Sequence, residues 1–106
     1  MTARIALRIT GLTGALAVAL GAFGAHALRD HVEASLLGTW RTASLYHLVH
    51  VVALGLCAAL LQLREDRAAR GGMAHDSARR AGHAAVAFLV GIAVFSGSLY
   101  ALVLSG

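Results

Sequence analysis

Trp40-Arg-Thr-Ala-Ser-Leu-Tyr-His-Leu-Val-His50-Val-Val-Ala-Leu-Gly-Leu-Cys-Ala-Ala-Leu-Leu-Gln-Leu63 decides the fold. From Ala43 to Leu63 the run holds 21 residues without a formal charge. As a helix this crosses a hydrocarbon layer of about 30 Å. Trp40 and Arg41 stand at its mouth, and Tyr46, His47 and His50 occupy its first two turns. Spacings of three and four place those three side chains on one side of a helix. Imidazoles inside a membrane segment mark a candidate functional site.

Two more uncharged runs flank it. Helix one is expected over residues 5–27, helix two over 43–63 and helix three over 82–104, a single all-α transmembrane domain spanning residues 1–106. Composition agrees: 58% of the 106 residues are hydrophobic and 13% charged, against about a quarter charged in a soluble domain. The single cysteine, Cys57, excludes an internal disulfide and a cysteine zinc cage, and reads as a small apolar side chain. The net charge of +4 comes from arginines that flank apolar helices, which points to lipid headgroups and not to nucleic acid.

Small residues punctuate the helices. Gly14, Gly21, Gly24, Gly91 and Gly97 are candidate helix-packing positions, where a missing side chain lets a neighbour approach. Repeats of small residues suggest seams at Ala17, Gly21 and Ala25 and at Ala84, Ala87, Gly91, Val94, Ser98 and Ala101, and steps of three and four suggest a seam of period 3.5 at Ala43, Tyr46, His50, Ala53, Cys57 and Leu60. Leu28–Thr39 reads as a polar hairpin connection, and Arg64–Arg80 as a polar loop in which Gly71-Gly72 favours a turn and His75 and His83 are solvated. Ala25-His26-Ala27 after an apolar run imitates a signal-cleavage site, but the glycine-rich run before it reads as a packing surface.

Seven arginines fall at the N-terminus and in the second connection, and two in the first. The positive-inside rule then expects a cytoplasmic N-terminus. Polar residues far apart in sequence gather at one depth in the outer half: His26, Tyr46, His47, His50, Ser96, Ser98 and Tyr100. His50 is expected to lie deeper than His47 and to bond with His26, Ser96 or Ser98. Gly21 is expected at a close helix contact.

Three segments, Leu20–His26, Trp40–His50 and Phe95–Tyr100, together resemble the YgdD-like family of small bacterial inner-membrane proteins of unknown function, which has a mitochondrial transmembrane relative in animals. The resemblance implies shared positions at Gly21, Gly24, His26, Trp40, Ala43, Tyr46, His50, Ser96, Gly97, Ser98 and Tyr100. It also implies a fourth helix, which is absent from these 106 residues, so either that helix is lost or a partner helix fills its place.

The favoured reading is an accessory or structural subunit, or an oligomer-forming bundle, held by a His/Tyr/Ser polar cluster in the bilayer of a bacterial inner (plasma) membrane. It carries no cofactor and no metal. The alternatives are a haem- or quinone-binding anchor, with His26 and His50 as candidate haem ligands, and a small transporter or metal carrier using the histidines. No Ser-His-Asp set, carboxylate pair or His-Glu-x-x-His occurs, so catalysis is not expected.

Overall fold

A computed structural model describes residues 1–72 and 75–106, with backbone only at 75–77. Helix α1, Ala3–Phe23, runs on through a π-helical turn, Gly24–Leu28. Helix α2 is Ala34–Ala69. Helix α3, His75–Gly91, continues through a second π turn, Ile92–Ser96, into α4, Gly97–Ser105. Three rods result, each long and apolar enough to cross a membrane: Ala3–Leu28, Ala34–Ala69 and Ala78–Ser105.

The exterior is what a bilayer requires. Leu12 is 72% exposed, Val18 67% and Val94 66%. In water such apolar surface would drive aggregation, whereas hydrocarbon solvates it. The second rod is the central one: 33% of its most apolar window is buried, against 11% in the first rod and 17% in the third.

α2 is longer than its apolar run. Its 36 residues extend about 54 Å, nearly the full 57 Å of the molecule. The sequence reading stopped the helix where hydropathy stops, at 43 and 63. Nothing stops the backbone there: Ala34-Ser-Leu-Leu and Arg64-Glu-Asp-Arg-Ala-Ala are adequate helix formers, and proline is absent. The first connection therefore shrinks to the turn at 29–33. The second shrinks to the stretch just past Ala69, where Gly71 adopts φ +87°. There Gly71 N–H donates to Ala68 O and Gly72 N–H to Arg67 O, each at 3.0 Å. That is a Schellman stop, which needs a left-handed residue and so favours glycine. His83 is exposed, as expected, while the side chain of His75 lies outside the described residues.

The buried seam of α2 is rotated from the expected one. Trp40, Ala43, His47, Val51, Leu54, Cys57, Ala58 and Leu61 face inward, so Ala43 and Cys57 of the expected seam are buried, while Tyr46 and Leu60 are about half exposed. On the third rod Ala85, Ile92, Ser96, Tyr100 and Val103 are buried, and Ala87, Val94, Ser98 and Ala101 are exposed. A π turn places an extra residue in the helix and so shifts every side chain beyond it.

The Arg-rich end is closed by small residues. Ala3, Ala6 and Ala58 are 0% exposed and pack with Leu61, Ala78 and Ala81. At the start of α1, Thr2 Oγ1 accepts from Ile5 N–H and Glu65 Oε1 accepts from Ala3 N–H at 3.0 Å. A carboxylate at a helix N-terminus satisfies an orphan donor and complements the helix dipole.

Candidate functional site

Trp40 anchors the opposite half of the bundle. It is 1% exposed and shares one core cluster with Leu28, Ala43, Tyr100 and Val103. Its Nε1–H donates to Leu20 O on α1 at 2.8 Å. The indole lies so close to Gly24 that a Cβ there would overlap Cδ1 and Nε1. Gly24 thus opens the first π turn where only a bare backbone admits the ring. The Trp40 ring also stands 4.6 Å from Tyr100 and 5.7 Å from Phe23, both tilted.

Below Trp40 lie three hydrogen bonds between α2 and the third rod. Ser96, 1% exposed in the second π turn, donates from Oγ to Ala43 O at 2.9 Å. Tyr100 Oη lies 3.1 Å from His47 Nδ1 and 3.4 Å from Ser44 Oγ. One phenolic proton cannot serve both neighbours. With that proton on Ser44, His47 Nδ1–H donates to Tyr100 and Nε2 keeps a lone pair. His47 is 1% exposed, and its Nε2 has no hydrogen-bond partner among the described residues. The backbone of Thr13 on α1 lies near this ring, outside hydrogen-bond geometry.

Of the seven residues expected to form the cluster, His47, Ser96 and Tyr100 meet in this core. Tyr46 and His50 sit on the adjoining lipid-facing flank. Tyr46 is 47% exposed with its ring 4.9 Å from Phe95. His50 is partly exposed, donates from Nδ1–H to Tyr46 O at 2.7 Å, and meets Phe88 edge-on at 5.9 Å. His26 and Ser98 are exposed, and Ser98 Oγ returns its proton to Phe95 O. Burial falls on His47 instead of His50: His47 is the sealed imidazole, because the seam is set by Trp40 seven residues earlier, two turns up the same face. His50 bonds with none of His26, Ser96 and Ser98.

The packing glycines divide similarly. Beside Gly24, a Cβ at Gly14 would stand 3.3 Å from Val51, and one at Gly91 3.2 Å from His50. At Gly21 nothing lies within 4 Å, so the expected close contact is not made among the described residues. At Gly97 a Cβ would approach only the chain's own Ile92 O, at 3.8 Å. Sequence reading missed Ser44 as a member of the core and Gly24 as the partner of Trp40. Its signal for Ser44 was present: Trp40, Ser44 and His47 recur at four and three.

Among the described residues no three His, Cys, Asp or Glu side chains converge as a metal set. The two candidate haem ligands are separated in depth. Gly24 packs on Trp40, and His50 lies ten residues, about 15 Å, further along α2. A cavity of about 390 Å³ lies elsewhere, at the hairpin end between His31–Leu36 and Val103–Gly106.

A family model described as a protein of unknown function (DUF423) matches residues 20–106. A UPF0382 membrane protein of Haemophilus influenzae is 40% identical over 96 residues, covering 91% of this chain and 67% of the relative. The UPF0382 membrane protein YwdK of Bacillus subtilis is 35% identical, covering 93% and 72%. The UPF0382 inner membrane protein YgdD of Escherichia coli is 34% identical, covering 99% and 71%. The chain thus spans about two thirds to seven tenths of these relatives. No solved structure matches it.

Proposed function

The chain belongs to the DUF423 (UPF0382) family of membrane proteins, and on that premise we propose that it is a structural or accessory component of a bacterial inner membrane. Its polar core serves to lock helices together. The observation that carries this reading is where the core's bonds end. Trp40 to Leu20 joins α2 to the first rod, and Ser96 to Ala43 and His47 to Tyr100 join it to the third. Lipid offers no hydrophobic drive between helices, so directional bonds and close packing supply the cohesion. The N-terminus and the Arg64–Arg80 region lie in the cytoplasm on this reading, by the arginine asymmetry. The component acts as an oligomer or within a larger membrane complex. Gly11, Gly21 and Gly38 support this, since each presents bare backbone with nothing within 4 Å.

The test is a gentle detergent extraction at native abundance, read by native mass spectrometry. A defined oligomer or a stable hetero-complex, lost in Gly21→Leu while the monomer stays helical, is the expected result. A monomer alone, indifferent to Gly21→Leu, would reject the assembly role.

A further inference from the structure

The core bonds leave His50 Nε2, along with the Tyr46 hydroxyl, turned elsewhere. His50 Nδ1 lies 2.7 Å from the Tyr46 carbonyl. A carbonyl only accepts, so Nδ1 carries the proton. In a neutral imidazole Nε2 is then a bare lone pair, an acceptor and nothing else. It has no hydrogen-bond partner among the described residues, and unlike His47 Nε2 it is not sealed inside the protein. Along α2, His50 lies nine residues from Arg41 and fourteen from Arg64, about 13 Å and 21 Å. The atom therefore lies at hydrocarbon depth, at the edge of the seam between the rods, where water does not satisfy it.

The surroundings are aromatic and layered. One turn toward the hairpin end, Tyr46 and Phe95 form a tilted pair, 47% and 43% exposed. On the other side Phe88 meets the imidazole edge-on. Between these layers Gly91 omits a side chain, so the Cδ2–Nε2 edge of His50 lies against the third rod at the seam between the rods.

We propose that the seam formed by Tyr46, His50, Phe88, Gly91 and Phe95 binds the head group of a membrane-dissolved quinol, which donates a ring hydroxyl to His50 Nε2. The chemistry selects this class. The ligand must reside in hydrocarbon, present a flat aromatic ring to the Phe and Tyr faces, and bring a proton donor to an acceptor-only atom. A quinol does all three. Its oxidised quinone has the same ring but only carbonyl acceptors, which a bare lone pair repels. The His50 contact thus favours the reduced head group, while the Tyr46 hydroxyl can serve either oxidation state. The assembly role proposed above does not enter the argument, and each proposal stands or falls alone.

The experiment uses the full chain in phosphatidylcholine nanodiscs, titrated with a short-chain ubiquinol held reduced and, separately, with its quinone. Binding is read from the ¹⁵N resonance of His50 Nε2 and from a dissociation constant. The expected result is saturable movement of that resonance by quinol, with the quinone about tenfold weaker, the effect of one hydrogen bond. His50→Gln, whose amide can both accept and donate, binds the two oxidation states about equally. His50→Leu abolishes the preference for quinol while the His47 and Tyr100 resonances stay in place, which reports an intact fold. Equal affinity for both oxidation states, no saturable binding of either, or undiminished preference in a folded His50→Leu would each overturn the proposal.

Discussion

The two ends of this bundle hold their helices together by different means. Near the hairpin turn the rods are tied by large rings and directional bonds: Trp40 to Leu20, Ser96 to Ala43, His47 to Tyr100. At the Arg-rich end they are held by absence of bulk, with Ala3, Ala6 and Ala58 fully buried and a lone carboxylate, Glu65, capping α1. Each solves the same problem. Between lipid-solvated helices cohesion comes from contact and hydrogen bonding, and a small side chain serves the first while a polar one serves the second. The hairpin end should therefore be sensitive to lost polar atoms, and the Arg-rich end to added volume.

The largest effect is expected where both means coincide. Gly24→Leu places a side chain inside the Trp40 indole and should cost about 3 kcal/mol or more. Thermal or denaturant unfolding in mild detergent measures it, and a stability like that of the wild type would dissolve the contrast. Next comes volume at the other end. Ala58→Leu, buried at 0% exposure against α1, should cost about 2 kcal/mol, while Ala59→Leu on the exposed side of the same helix should cost little. Equal effects would show that burial of alanine is not what closes this end. A smaller loss, about 1–2 kcal/mol, is expected for Trp40→Phe, which keeps an aromatic ring and removes the donor to Leu20. The smallest belongs to the cap: Glu65→Ala should lower stability by about 0.5–1 kcal/mol and raise amide exchange at Ala3. Exchange at Ala3 unchanged would remove Glu65 from the account.

Three crossings could be read from three charge-free runs, because hydropathy over 20 residues is a strong signal. The ends of α2 could not. Hydropathy reports where lipid begins, whereas the backbone stops only where a residue such as Gly71 turns it. That polar groups gather at one depth was legible from positions such as His47, Ser96 and Tyr100. Which of them face each other was not. A seam in a helix is fixed by rotation, and here rotation follows from one buried indole and two π turns, neither of which leaves a hydropathy signature. Three residues, a net rotation of about 60° about the helix axis, separate sealed His47 from partly exposed His50. The resemblance to known sequences named Trp40 and Gly24 without saying that one fits against the other.

The most direct test of the hairpin-end account is a double-mutant cycle on its buried pair. His47→Leu, Tyr100→Phe and the double variant are unfolded reversibly in mild detergent, and the interaction energy is taken from the four stabilities. A hydrogen bond between membrane helices predicts a coupling of about 0.6–2 kcal/mol. Each single variant should be less stable than the wild type, and the double variant should lose less than the sum of the two. Additive losses, with coupling near zero, would mean that His47 and Tyr100 pack side by side without holding α2 to α4.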